Sequence, residues 1–278
     1  MTTIDSVDRD LTTRLGARSG APAGGFNLTL LGLELRRVLS NKRTMIFTLV
    51  FPAVMFLFVA AQVPASEQKM GSAVANVGAY IMVSMAVYGA IMATTSAGAS
   101  VSIERASGWS RQLRLTPLRP LAYIVLKLLA ALTMGVIATV VTFVVGDVTG
   151  KAQMATGTWI EAGAIIIVGS LVFAAFGLFL GYLLPSDNAM QFIGPILAIF
   201  SIFGGLFSGP IDESSTYGQI AQLTPIYGLS QIAHWPLTLT TAGAYDTFHV
   251  SWLLNLAGWA AIFIGGAVWR FRRDTARV

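Results

Sequence analysis

Six long apolar runs set the terms for any fold this chain can adopt: Thr44 to Val63, Ala75 to Ala99, Leu121 to Val145, Glu161 to Leu184, Gln191 to Ser208 and Val250 to Trp269. A bilayer core of about 30 Å is crossed by about 20 apolar residues in helical form. Inside hydrocarbon every backbone donor and acceptor must find a partner within the chain, so runs of this kind read as helices. Turn and charged residues bound them, among them Pro64, Pro120, Gly146, Pro185 and Arg270. Composition agrees. The chain is 55% hydrophobic and only 11% charged, against roughly 25% charged in a soluble domain. With 18 basic and 13 acidic residues in 278, the surface of a dispersed globular protein cannot be covered.

The charges are distributed by side. Seven basic residues precede the first run (Arg9, Arg14, Arg18, Arg36, Arg37, Lys42, Arg43), four lie between the second and third (Arg105, Arg111, Arg114, Arg119), and four follow the sixth (Arg270, Arg272, Arg273, Arg277). The other side holds Lys69 and Lys151. By the positive-inside rule both termini are expected in the cytoplasm. The net charge of +5 therefore reflects topology, and a nucleic-acid partner is not needed to explain it. An arginine-rich basic set is expected of a bacterial cell membrane protein.

Residues 1–25 are rich in Thr, Gly, Ala and Arg, lack the apolar core of a signal peptide, and are expected to form a disordered cytoplasmic tail. Residues 26–43 are amphipathic. Leu28, Leu31, Leu35, Val38 and Leu39 share a helical face, with Glu34, Arg36 and Arg37 off it. A helix lying in the inner membrane interface is expected there, in contact with membrane lipids. The long inner loop, residues 100–120, reads SVSIERASGWSRQLRLTPLRP. Ile103, Ala106, Trp109 and Leu113 fall on one face of a short helix stopped by Pro117 and Pro120. Two readings are open: docking in a groove of a soluble partner, or lying on anionic lipid through its arginines.

Glu104-Arg105, Gly108, Leu113 and Thr116-Pro117-Leu118, followed by Lys127, resemble the loop of ABC-2 type permeases, the membrane subunits of ATP-driven exporters that include daunorubicin-resistance permeases and polysaccharide or lipid exporters. Trp109, Ser110 and Arg111 stand where that family prefers Thr, Leu and Glu. The resemblance covers nearly the whole chain. It implies an all-α membrane protein of six transmembrane helices over residues 44–278, with an interfacial N-terminal helix and short re-entrant helices before the last span. It implies a coupling surface made of Glu104, Arg105, Gly108, Trp109, Leu113, Thr116 and Pro117. It also implies two copies of a cytoplasmic ATP-binding subunit, which would hold the ATP and Mg, and a second permease copy or paralogue. This chain itself would bind no cofactor. A gated channel or membrane scaffold without an ATPase is the alternative function, and a lipid-linked glycan or polysaccharide the alternative cargo.

What the runs lack is also informative. No acidic, basic or histidine residue stands at mid-depth in any of them, which disfavours a proton-coupled carrier. No GxxxxGK[ST] nucleotide loop occurs, and no catalytic constellation or metal cluster is expected. Cysteine is absent. His234 and His249 are expected near the outer surface, without carboxylate partners. The outer segment 209–249 holds Ile220, Leu223, Ile226, Tyr227 and Ile232, broken by Thr224-Pro225, and reads as two short apolar helices. Gly177 and Gly181 form a GxxxG, suited to close packing inside one subunit or across a dimer seam. Met85, Tyr88 and Met92 share a face of the second run, and Phe200, Phe203 and Phe207 recur at helical spacing in the fifth. Both stripes suit an apolar cargo path, although stripes of this kind more often face lipid or the core.

Overall fold

The computed structural model describes residues 28–40, 42–64, 70, 73–106, 120–184 and 186–275. Its regular structure is helical, joined by turns and irregular segments, with one isolated backbone bridge between Ala73 and Thr240 among the described residues. Ten α-helices follow in order: α1 Leu28–Leu39, α2 Lys42–Met45, α3 Phe51–Ala61, α4 Val77–Ala106, α5 Pro120–Val148, α6 Thr156–Leu183, α7 Ser186–Phe203, α8 Thr216–Gln222, α9 Tyr227–His234 and α10 Val250–Thr275. A π-helical turn, Ile46–Val50, joins α2 to α3, and a 3-10 turn, Trp235–Thr238, follows α9. Each of the six apolar runs is helical. Four of these helices are long and apolar enough to cross a membrane, within α4, α5, α6 and α10, whereas the apolar stretches Ile46–Ala61 and Gln191–Phe203 are shorter.

Local chemistry places the ends. Asn76 caps α4: its side-chain carbonyl accepts the N–H of Ala79 at 2.8 Å and of Gln153 at 2.9 Å, and its amide donates to the Lys151 carbonyl at 2.9 Å. One residue thus satisfies an orphan donor of the helix and pins the α5–α6 turn beside it. Helix α5 opens on Pro120, a position where the missing N–H costs nothing. Helix α6 stops at Leu183 because Leu184 precedes Pro185 and is held extended (φ −103°, ψ 149°). In the first run, Pro52 lacks a donor and its ring crowds the turn before it. The wider π-helical turn immediately upstream accommodates it, with the Phe51 N–H reaching back to the Ile46 carbonyl.

Helix α4 is the centre of the bundle. Its most apolar window is 83% buried, against 17% for α10. Such burial in a lipid-soluble bundle needs close backbone approach, and small residues provide it. A Cβ on Gly177 would stand 2.1 Å from the Thr95 carbonyl oxygen, and one on Gly98 would stand 2.3 Å from that of Ala174. Gly181 lies against Ala99. The GxxxG of α6 therefore packs on the small-residue stretch of α4 within the chain. Phe56, Met82, Ile91, Phe173, Ile166 and Leu197 fill the remaining space in one continuous core. Helix α1 packs on α5, and its Val38 meets a smaller cluster of Ala93, Met134 and Ala138 where α4 and α5 touch.

Two boundaries differ from the sequence reading. Helix α4 runs on through Ser100 to Ala106, so the start of the long inner loop is helix continuous with the second run. The fifth run ends at Phe203. The Leu206 N–H bonds the Ser201 carbonyl and the Gly205 N–H bonds that of Ile202, with Gly205 at φ +76°. That left-handed close ends the helix and carries Phe207 off the Phe200–Phe203 face. The tail 1–25, and the positions of Gly108, Trp109, Leu113, Thr116 and Pro117, lie outside the described residues.

Candidate functional site

At the end of the bundle away from α1, the helices leave a cavity of about 1220 Å³. Its walls come from α3 (Phe51, Met55, Val59), from α4 (Tyr80, Ser84, Met85, Tyr88), from Ala198 of α7, from the 206–210 turn, and from Leu237 to Asp246. Helices hold the apolar side chains in fixed register, and the left-handed turn at Gly205 brings Leu206 and Phe207 back to the wall. Tyr88 is flanked by Phe51 at 6.2 Å and by Phe207 at 5.5 Å between ring centroids. The α4 lining stops at Tyr88, so these three rings close the cavity towards the middle of the bundle. A large apolar hollow with a few hydroxyl groups and a polar mouth is the usual form of a small-molecule site.

Of the six residues in the two sequence stripes, Met85, Tyr88 and Phe207 line this cavity. Met92 lies one turn below it, buried in the core, while Phe200 packs on Phe176 at 5.8 Å. Phe203 is 49% exposed on the outside of the bundle. The wall residues that sequence reading missed, Phe51, Tyr80 and Ala198 among them, carried no periodic signal, because every face of these helices is apolar.

A second hollow of about 340 Å³ adjoins the first and shares Tyr80, Pro210 and Asp246 with it. Its wall is more polar: Glu213, Gln231, His234, Trp235, Thr247, His249 and Trp252. Glu213 accepts from the Tyr227 hydroxyl at 2.6 Å and the Trp252 indole N–H at 2.8 Å, and His249 Nδ1 stands 3.9 Å away. These donors favour the carboxylate and lower its pKa, the tyrosine contributing most. His234 is buried. It stacks on Tyr80 at 4.0 Å, its Nε2 lies 3.0 Å from the Ser84 hydroxyl, and its Nδ1 lies 2.7 Å from the Ser230 carbonyl. Burial lowers its pKa to about 4, so it is neutral at pH 7, with Nδ1–H assigned as the donor to Ser230. His249, for its part, has the carboxylate neighbour that spacing alone did not reveal. Among the described residues no group of acidic, histidine or cysteine side chains has metal-site geometry.

The opposite end of the bundle carries an ionic joint. Glu104, in the last turn of α4, is 2% exposed, and Lys127 of α5 is 4% exposed. The Lys127 ammonium bonds both Glu104 and Glu34 of α1, and Arg37 of α1 bonds Glu104 at 2.6 Å. Glu34 was read as lying off the packed face of the amphipathic segment; here its carboxylate turns towards Lys127. Four charges thus bind α1, the end of α4 and the start of α5, just before the segment 107–119. Arg105 stands beside Glu104 in the same helical turn.

A family model described as "ABC-2 family transporter protein" matches residues 59–269. The chain is also 25% identical, over 179 residues, to the Bacillus subtilis (strain 168) protein named "Putative transport permease YvfS". That alignment covers 63% of this chain and 70% of the relative.

Proposed function

This chain belongs to the ABC-2 family of transporter proteins, and from that premise we propose that it is the permease subunit of an ATP-driven exporter of amphipathic, drug-like or lipid-like compounds. The chain is a multi-pass membrane protein with transporter ancestry, and the large apolar cavity is the observation that carries the cargo class. A hollow of about 1220 Å³ walled by Met55, Met85, Tyr88 and Phe207 accepts varied apolar bodies, since methionine and aromatic side chains adapt to shape. The bundle would cross the bacterial cell membrane six times. The first and fifth crossings would be completed by the shorter helices, and α8 and α9 would dip into the outer leaflet. Both termini and the ionic joint would face the cytoplasm, the cavity the outside.

Energy would come from two cytoplasmic ATP-binding subunits, which hold ATP and Mg, acting on two permease copies or a permease and its paralogue. The segment 107–119 is the contact. Trp109 and Leu113 would fill a groove on the ATPase, with Gly108, Thr116 and Pro117 shaping the turn. The joint of Glu104, Lys127, Glu34 and Arg37 supports this reading: a push on that segment reaches α4 and α5 together, because their ends are bound to each other and to α1. Helix α4, which floors the cavity, then moves as one body.

Purification of the chain with its ATP-binding subunit tests the proposal. Trp109→Ala and Leu113→Ala are each expected to cost more than about 1 kcal/mol of docking, as truncated anchors do, and to lower chain-stimulated ATP hydrolysis. Unchanged stimulation in both variants would favour the lipid-surface reading of that segment.

A further inference from the structure

The two adjoining hollows differ in character, and the difference bears on the charge of what they hold. The large one is apolar and contains one charged wall residue among those described, Asp246, at its mouth. The small one shares Asp246 and adds Glu213, with the rings of Tyr80, Trp235 and Trp252 around them. Neither has a lysine or arginine among its described wall residues, and His249, a wall residue of the small one, places Nδ1 3.9 Å from Glu213, which leaves Asp246 as the carboxylate without a basic neighbour in either wall. Glu213 is held as the carboxylate by Tyr227 and Trp252. Asp246 accepts its neighbour's Thr247 N–H at 2.7 Å, and its backbone carbonyl accepts the Trp235 indole N–H at 2.9 Å. His234 adds no compensating positive charge at pH 7, because its burial lowers its pKa to about 4. An apolar hall thus opens onto a chamber with two carboxylates and a wall of aromatic rings, and aromatic π systems and carboxylates both attract cations.

We propose that the cargo is a cationic amphiphile, with its ammonium-type head in the small chamber near Asp246 and Glu213 and its apolar body in the large cavity. This rests on the transport reading above and adds the sign and position of the charge. The head would sit at the mouth, where water reaches it, so a permanent charge need not enter the apolar part beside Tyr88. That order suits a site from which a cargo leaves head first.

Binding to the full chain in discs of zwitterionic phosphatidylcholine tests this, because the lipid then selects no charge. Three dansyl probes share one hydrocarbon body and end in a quaternary ammonium, an uncharged amide or a sulfonate. The ammonium probe is expected to bind about three- to tenfold tighter than the amide, the range of a cation–π contact with a solvent-screened ion pair, and the sulfonate weaker than both. Asp246→Asn, which keeps the shape of the side chain, is expected to bring the ammonium probe within about twofold of the amide. Equal binding of ammonium and amide probes by the unmodified chain, with both lost in Ala198→Trp, would overturn the charge assignment and leave the cavity standing. An ammonium preference that persists in Asp246→Asn and in Glu213→Gln would overturn the placement of the head. Failure of every probe to bind would remove the cavity as a cargo site and the present proposal with it.

Discussion

Lys127 illustrates what a single buried charge demands. A lysine almost wholly removed from water is tolerated because Glu34 and Glu104 both pair with it, and removing one member of such a set leaves the others uncompensated. Lys127→Met is therefore expected to cost about 3 kcal/mol, read as a lowered midpoint of thermal unfolding in detergent. Adding Glu104→Gln to Lys127→Met should recover a large part of that loss. Simple additivity of the two changes would contradict the pairing. His234 makes a prediction in pH. Its folded pKa, about 4, lies below the ordinary 6.5, so the unfolded chain takes up a proton first as pH falls. Its contribution is constant above pH 6.5 and declines from there to about pH 4. His234→Gln is expected to flatten the stability profile across that window, and an unaltered profile would show that the slope arises elsewhere. Little of this residue chemistry was legible in the sequence. Glu104 and Lys127 were visible as a motif, but their partners Glu34 and Arg37 lie 67 to 93 positions away along the chain, and no local pattern signals such pairs.

At the scale of elements, the sequence was informative where water-free backbone leaves few choices. All six apolar runs are helices, and the two short helices between the fifth and sixth runs fall where Thr224-Pro225 divides them. What the pattern left open has a physical cause. In α4, α5 and α6 the inward and outward faces are both apolar, so periodicity does not show which face is buried. In α4, Met92 satisfied the same pattern as Met85 and Tyr88 yet lies outside the cavity, and in α7 Phe200 and Phe203 share the spacing of Phe207 without lining it. Size was the better guide: the small residues Thr95, Gly98, Ala99, Gly177 and Gly181 mark the α4–α6 contact. Gly177→Val is expected to force these helices apart, since its Cβ alone would overlap the Thr95 carbonyl. Overpacking of this kind costs about 1–3 kcal/mol or more. Thermal unfolding of the purified variant reads that loss, and an unchanged midpoint would mean that the two helices separate easily. The end of the fifth run was also hidden, because a Gly204-Gly205 pair inside an apolar stretch does not reveal which glycine turns left-handed.

At the scale of the molecule, the polarity of the bundle organises the account: an ionic joint at one end of α4 and an apolar cavity at the other. Single-cysteine labelling reads the sides cleanly, as the native chain has none. Asp212→Cys is expected to react with an impermeant maleimide from outside the cell and Arg273→Cys only after the membrane is opened; the reverse pattern would invert the topology. The central claim is that cargo passes through the hollow beside Tyr88 at the expense of ATP hydrolysed by a partner. Its most direct measurement is ATP-dependent transport of a fluorescent amphiphile by the chain and its ATP-binding subunit in vesicles, with and without Ala198→Trp. That substitution puts a large ring where the wall now has a methyl group. The account predicts that transport by the unmodified chain requires ATP and falls at least tenfold in Ala198→Trp, while membrane insertion and capture of the ATP-binding subunit stay unchanged; an undiminished rate in Ala198→Trp would contradict it.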